Sequence, residues 1–545
     1  MNKIHTLLIY ITVKLYFRET EEGFFLELIK KNIHMNKLKC KSSLQLNLND
    51  DINVPDTKPD IATIMKISGE TAWEEQKILS GKLYLKGSLS FCLLYLSAED
   101  DHRIHSIFGK LPIEETIHLE ADCSTENTTL RTVLEDLSAN FINSRKVSIK
   151  SLLSLAVTAE EIYDEPACVA IENNIPVCTR TVPLQLTSLA ACKKDSYRLR
   201  DEITLPSAKS SMHEILYRNI SLKNIDIRLL TDQFTIKGDA VVFLLYSAED
   251  GEAAAEYYES ELPFHATIDC NGCSEAMTPD INLVITDKTF EIRQDSDGEP
   301  RIVSLDLLME IQIKIYEDST FHVIEDVYSP FATLTPVYRP VVYENLLMHN
   351  ANKVRINDRV KISDTAPKIM QICHGSGTIH IDNTYPSEDG LMAEGSIEAD
   401  IFYITPEDNR PMYAMKASVP FQQLIEVHDL GPDTVYTVTP ELEQLTVLSN
   451  DSDELEIKAS ILLNSLVFDR ITAQFITEVN EEPLNYEELL DLPGMTGYIV
   501  KENDDLWSIA KSHHTTSESI LALNDLTDEN LTAGTHLLLL KEVLI

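Results

Sequence analysis

The sequence predicts a mainly β protein: three tandem β-rich repeats, sandwich-like or barrel-like, followed by a small βααβ module. Three observations lead there. A nine-residue landmark recurs at long period, as Gly87-Ser-Leu-Ser-Phe-Cys-Leu-Leu-Tyr95, Gly238-Asp-Ala-Val-Val-Phe-Leu-Leu-Tyr246 and Gly395-Ser-Ile-Glu-Ala-Asp-Ile-Phe-Tyr403, with offsets of 151 (238 − 87) and 157 (395 − 238). Independent landmarks, Pro112, Pro263 and Pro420, recur at those same offsets, the signature of repeated units. Between them lie short alternating or β-branched runs bounded by Gly, Pro, Asn and Asp, which read as strands, and few segments of helical period.

The chain divides in order. Residues 1–34 form an N-terminal extension whose apolar run, Leu7 to Tyr16, is broken by Lys14. That run is too short to span a bilayer and lacks the small-residue cleavage site of a secretory signal. Translation from Leu26 or Met35 would leave it out of the natural protein, and residues 1 to 25 are expected to be poorly packed. Repeats follow over 35–180, 181–340 and 341–479. Each continues from its landmark into an acidic turn (Ser97-Ala-Glu-Asp100, Ser247-Ala-Glu-Asp250, Thr405-Pro-Glu-Asp408) suited to local side-chain to backbone bonds. A return strand then ends at the matched proline. Upstream, Val54-Pro-Asp-Thr-Lys-Pro-Asp-Ile61 has partners in Leu205-Pro206-Ser207 and Ser363-Asp-Thr-Ala-Pro367. The matched glycines are expected to mark bulges or close strand approach, and the matched tyrosines to be half-buried sheet residues.

Residues 480–496 read as a linker holding a short helix. The module over 497–545 opens with the strand Gly497-Tyr-Ile-Val500. An Asn/Asp-capped helix follows from Asn503, then a second helix over Ser517–Asn524, and Gly534 to Leu540 closes as a strand. So small a unit has little core, so Trp507, Ile509, Ile520, Leu523 and Leu537 are expected to pack it. Exposed loops at the two strand–helix junctions make Asn503, Asp504, Asp505, Leu526 and Thr532 the candidate ligand- or partner-binding residues.

Composition narrows the function classes. Apolar residues make up 43% and charged residues 25%, as in ordinary globular proteins. The formal charge of −42 repels phosphate backbones and anionic bilayers, so neither nucleic acid nor direct membrane insertion is expected. Nine cysteines do not form the framework of a small secreted domain, and the compartment is read as reducing. Cys270-Asn-Gly-Cys273 is a lone C-x-x-C, read as an ordinary loop. No phosphate loop, G-x-S-x-G or H-E-x-x-H is present. The adjacent His513 and His514 point about 100° apart on a helix and are poorly placed to share an ion. No catalytic residue, metal ligand or cofactor is therefore predicted.

Two resemblances carry function. Tyr498-x-Val500-x5-Leu506-Trp507-x-Ile509-Ala510, with Ile520-Leu521-x-Leu523-Asn524-x-Leu526 and Gly534-x2-Leu537, resembles a LysM domain. That implies recognition of N-acetylglucosamine polymers such as peptidoglycan. Asn503 replaces the family's usual Gly, a swap suited to a left-handed backbone, and the customary terminal Ile-Pro is absent. The tandem units resemble the SPOCS domain of sporulating Clostridia, above all at Val54–Ile61 and Gly87–Tyr95. SPOCS repeats followed by LysM are similar to the SipL family, whose members help encase the forespore in coat and act with the coat-morphogenetic ATPase SpoIVA. In that family the LysM module is implicated in protein contact. The resemblance thus implies a non-enzymatic adaptor in spore coat assembly, in the mother-cell cytoplasm at the forespore surface, with a SpoIVA-like partner. The alternative is a protein that binds peptidoglycan or cortex through its LysM module.

Overall fold

The computed structural model describes residues 26–98, 103–120, 127–173, 176–248, 255–407, 409–451, 453–483 and 493–542. The N-terminal apolar run, the tips of the acidic turns (Glu99-Asp100, Glu249-Asp250, Asp408) and the short helix expected in the linker lie outside those residues. Each repeat has six antiparallel strands. The first has β1 (Leu26–Asn53), β2 (Ile61–Leu79), β3 (Lys82–Ser97), β4 (Ile104–His118), β5 (Thr128–Asn143) and β6 (Lys146–Asn173). The second has β7 (Cys178–Thr204), β8 (Met212–Leu230), β9 (Gln233–Ala248), β10 (Glu256–Asp269), β11 (Thr278–Gln294) and β12 (Pro300–Tyr328). The third has β13 (Ala332–Lys361), β14 (Gln371–Ser387), β15 (Gly390–Ile404), β16 (Met412–Glu426), β17 (Val435–Asp451) and β18 (Glu454–Pro483).

Strands two to four of each repeat make one three-stranded sheet, and strands one, six and five the other. The two sheets pack face to face around a core such as Leu89, Phe91, Leu93, Tyr95, Ile149 and Leu153. The sequence boundaries shift at five places. Ala332–Pro340, assigned to the second repeat, open β13 of the third. Met495 and Thr496, assigned to the linker, pair with Leu540 and Leu539 of the C-terminal module. Residues 26–34, assigned to the extension, pair with β6 from Leu26↔Asn173 onward. Cys178–Arg180 already belong to β7. Strand β18 runs on to Pro483, opposite Ala332.

The landmark strands β3, β9 and β15 are the middle strands of their sheets, and their segments Phe91–Leu96, Val241–Tyr246 and Ile401–Tyr403 are buried on both faces. That is why Phe91 to Leu96 read as a continuous apolar run rather than an alternating one. One face supplies the repeat's own core, and the other meets the neighbouring repeats in a shared cluster of Cys92, Leu94, Tyr217, Phe243, Leu245 and Phe402. Two of the matched glycines sit where the opposing backbone presses in, while Gly238 makes room for the Ile225 and Phe264 side chains. A Cβ on Gly87 would lie 2.3 Å from the Ala72 carbonyl oxygen and one on Gly395 2.1 Å from that of His380, each beside a register shift in the partner strand. The matched tyrosines Tyr95, Tyr246 and Tyr403 are fully buried, not half-buried. Their hydroxyls donate to the Pro59 carbonyl (3.1 Å), a Glu256 carboxylate oxygen (3.1 Å) and the Pro367 carbonyl (2.9 Å), so the polar tip is satisfied and burial carries no desolvation penalty.

The Val54–Ile61 segment forms the β1–β2 corner. The Arg145 guanidinium gathers its carbonyls, donating to Lys58 O (2.8 Å), Val54 O (3.1 Å) and Pro55 O (3.1 Å). In the second repeat Arg301 donates to the Pro206 carbonyl in the same way.

The repeats close into a ring. At the first seam Lys58 pairs with Glu214 (2.7 Å); at the second the His374 ring stacks on Phe243 (3.9 Å between centroids) and pairs with Glu259 (3.0 Å). At the third, buried Lys66 pairs with Asp400 (2.7 Å). Lys66, Tyr217 and His374 are equivalent positions (217 − 66 = 151; 374 − 217 = 157), each directly after a bulge. Contacts that run from repeat to repeat and return to the first are heterologous contacts that close.

Strands β5, β11 and β17 stop pairing at Ala159, Tyr316 and Phe468. Beyond these points the first and sixth strands of each repeat continue as two-stranded ribbons, roughly 40–50 Å long at about 3.4 Å per residue. The three ribbons bundle around Ile33, Ala167, Leu186, Val323, Tyr343 and Phe475. Where heads give way to ribbons the repeats enclose a cavity of about 910 Å³, lined by Glu160, Lys314, Asp280, His349 and Glu441 among others. Its Glu160–Lys314 pair (2.7 Å) links the first two repeats. The C-terminal module has two strands, β19 (Met495–Ile499) and β20 (His536–Leu540), and two helices, α1 (Leu506–Ser512) and α2 (Ser517–Leu523). No helix among the described residues is long and apolar enough to cross a membrane.

Candidate functional site: the C-terminal module and its seat

Antiparallel β19 and β20 carry Tyr498, Leu537 and Leu539 on the face that meets the helices, where Leu506, Ile509, Ala510 and Ile520 complete a core. Leu523, expected in that core, is only half-buried. Both helices begin as their sequences dictate. Asp505 caps α1, its carboxylate accepting from Ser508 N (2.8 Å), and Thr516 caps α2, accepting from Ser519 N (3.1 Å). Asn524 closes α2 and ties it to β20, donating to Ile520 O (2.8 Å) and Leu538 O (2.9 Å) and accepting from Leu538 N (2.7 Å).

The five candidate residues fall into different roles. Asn503 is exposed with φ +69°, the left-handed conformation in which Asn substitutes best for Gly. Asp504 accepts from Lys501 N and from the Tyr498 hydroxyl, both at 2.8 Å, and these two bonds hold its carboxyl below the usual range. It therefore shapes the loop from within. Asp505 is committed twice, to its cap and to Arg180 (2.9 Å). Burial works against its charge but is outweighed by the Ser508 N–H and by Arg180, which together keep its pKa low. Leu526 is half-buried against the module core, with its N–H bonded to Leu521 O (3.0 Å). Thr532 is exposed, its hydroxyl 3.0 Å from that of Thr535. Asn503 and Thr532 thus remain open at the surface, while Asp504, Asp505 and Leu526 are largely occupied in building the module.

The module is seated on the far end of the second repeat's ribbon. Asp326 of β12 accepts from the Trp507 indole N–H (2.8 Å) and from the Lys511 ammonium (2.8 Å to each oxygen). The Trp507 ring meets Tyr328 edge-on at 4.7 Å, and the Tyr328 hydroxyl donates to Thr515 O (3.1 Å). Arg180 of β7 bridges Glu325 (2.7 Å) and Asp505 and lies over Trp507 at 5.7 Å. Trp507 packs, as expected, but its ring faces another repeat as well as its own module. Sequence reasoning missed Arg180, Asp326, Tyr328 and Lys511, whose partners lie up to 325 residues away along the chain. Nothing local marks them.

Cys270 and Cys273, read as an ordinary loop, are joined as a disulfide at the β10–β11 corner, with both side chains buried. Their turn is pinned by Asp232, whose N–H donates to Cys273 O (3.0 Å) and whose carbonyl accepts from Cys270 N (2.9 Å). That brings the two thiols together without any neighbouring histidine.

Comparison with known families matches the repeats and the module. The family described as SipL, SPOCS domain matches three times, over residues 60–142, 211–293 and 368–448, and the LysM domain matches residues 498–539. Each SPOCS match spans strands two to five of a repeat and leaves out the long flanking strands. No curated protein and no solved structure matches the chain. The chain therefore carries three SPOCS repeats of the SipL type and a C-terminal LysM domain.

Proposed function

We propose that this protein is a non-enzymatic adaptor of spore coat assembly, in which a ring of SPOCS repeats presents the LysM domain to a SpoIVA-like coat-morphogenetic protein at the forespore surface. SPOCS and LysM are families of binding domains, not of catalysts. The observation that carries the reading is the seat of the LysM domain on Asp326, Tyr328 and Arg180. A module that only had to reach a wall polymer could hang on a free tether, whereas a fixed orientation suits a part that must fit another protein. The acidic exterior favours a basic partner surface.

A second reading, recognition of peptidoglycan or cortex glycan, is supported by the LysM match and by the open positions Asn503 and Thr532. One experiment separates the two. The immobilised full chain, and a variant with Asn503→Ala and Thr532→Ala, are offered purified coat-morphogenetic protein in one arm and sonicated peptidoglycan in the other. Retention of the protein but not the glycan is the expected result. Retention of the glycan alone, lost in the double variant, would replace the adaptor by a wall-binding protein.

A further inference from the structure

The first seam of the ring holds a group that ring closure does not use. Arg218 of β8 lies with its guanidinium 4.6 Å from the centre of the Phe290 ring and 5.8 Å from that of Phe108. These three side chains, with Ile215, Ile292, His213 and Glu214, line an open groove of about 480 Å³ between the first and second repeats. Phe108 is 49% exposed. The nearby carboxylates are already paired, Glu214 with Lys58 (2.7 Å) and Glu70 with Lys288. Among the described residues Arg218 makes no ion pair. A partly desolvated guanidinium with its donor fork unfilled is costly unless something occupies it.

The equivalent seams show that packing does not demand such an arrangement. The offsets of 151 and 157 place Gly375, Val447 and Glu259 at the second seam where the first has Arg218, Phe290 and Phe108. There a Cβ on Gly375 would lie 2.9 Å from Val447, so those two positions pack directly, and Glu259 is paired with His374 (3.0 Å). The third seam has Ile67, Ala139 and Lys416 at the same positions. Among the described residues neither other seam has a cation at the Arg218 position, and the buried Lys66, 5.0 Å from the Phe402 ring and 5.9 Å from that of Tyr217, is already paired with Asp400.

We propose that this groove is a docking site for a segment of a partner protein that carries one carboxylate between apolar side chains, with Arg218 taking the carboxylate and Phe108 and Phe290 flanking it. A single guanidinium fork matches the two oxygens of a carboxylate, and the phenyl and isoleucine walls match apolar neighbours. A doubly charged phosphate fits less well, because Glu214 and Glu70 stand close by. The net charge of −42 does not forbid an acidic ligand, since fields beyond about 8 Å are largely screened at physiological ionic strength.

The test is an array of heptapeptides with a central Glu between apolar residues, probed with the full chain beside versions whose central residue is Gln or phosphoserine. The Glu peptides are expected to bind best, and Arg218→Gln to weaken them about 10-fold or more, with Arg218→Lys recovering part of the loss. Equal binding of Glu and Gln peptides, no binding at all, or an Arg218→Gln protein that binds like the parent would each overturn the proposal. A preference for phosphoserine would overturn the carboxylate assignment. If Arg218→Gln does not fold, Phe108→Ala on the exposed rim replaces it, with the same expected loss.

Discussion

Removing the Asp326 carboxylate should free the LysM domain from its ribbon without unfolding either part. The side chain is 15% exposed and receives two donors, the Trp507 indole and the Lys511 ammonium, all at 2.8 Å. Each bond to a charged group is worth about 1.5–3 kcal/mol when sheltered, but Lys511 is 38% exposed and its share falls to below about 1 kcal/mol. Asp326→Ala should therefore cost the docked state about 2–3 kcal/mol, a shift of about 30- to 150-fold in the docking equilibrium. The Tyr328–Thr515 and Arg180–Asp505 bonds remain and resist complete release. Hydrogen exchange followed by mass spectrometry reads the change. Peptides covering 506–523 and the ribbon ends 178–186 and 320–328 should exchange faster by that factor, while those in β3, β9 and β15 do not move. The sign of the pH effect follows from the lowered pKa of Asp326. Burial opposes its charge, but the bonds from Lys511 and Trp507 outweigh it. The docking contribution is full above the ordinary carboxylate value of 3.8 and is lost as pH falls through the depressed folded value. If Asp326→Ala leaves exchange at 506–523 within about twofold of the parent, the seat is not held by this carboxylate and the reasoning fails.

Asp400→Ala should destabilise the ring by about 3 kcal/mol in urea unfolding, because it strands Lys66, whose ammonium is buried and whose pKa burial already lowers. The double change Lys66→Met with Asp400→Leu should recover most of the loss. The Cys270–Cys273 bond predicts that denatured, unreduced protein shows at least two fewer reactive thiols than the nine cysteines of the chain. A count of nine removes the disulfide. The short loop it closes should contribute about 2 kcal/mol, measured as a lower melting temperature after reduction.

What the sequence revealed and what it hid divide along a physical line. The repeat was legible because β3, β9 and β15 end in apolar segments buried on both faces (Phe91–Leu96, Val241–Tyr246, Ile401–Tyr403) and each carries a glycine where a neighbouring backbone or side chain presses in. Both features constrain residue identity locally, and they survive in three copies. The ribbons were not legible. Leu26–Asn36 mixes Lys, Asn and His with apolar residues without strict alternation. Only pairing with residues 162–173 turns it into a strand. The LysM loops show the same limit. Asn503 was legible because a left-handed φ restricts the residue types that fit. Asp505 was chosen as an exposed loop carboxylate, and its commitment to Arg180 depends on a strand more than three hundred residues earlier.

The ring explains why three similar units differ where they touch. In a symmetric trimer one contact serves every seam. Here the same bulge-following position is Lys66, Tyr217 and His374: Lys66 pairs with Asp400, Tyr217 packs against the Phe402 ring (5.0 Å between centroids), and His374 stacks on Phe243. An ion pair, a tilted aromatic pair and a ring stack are not interchangeable. Placing Lys66 opposite Phe243 would bury its ammonium away from the Asp400 carboxylate, at a cost of about 3 kcal/mol. Each repeat is therefore specified to one place in the ring. That in turn fixes which ribbon end carries Arg180, Asp326 and Tyr328, and so where the single LysM domain sits.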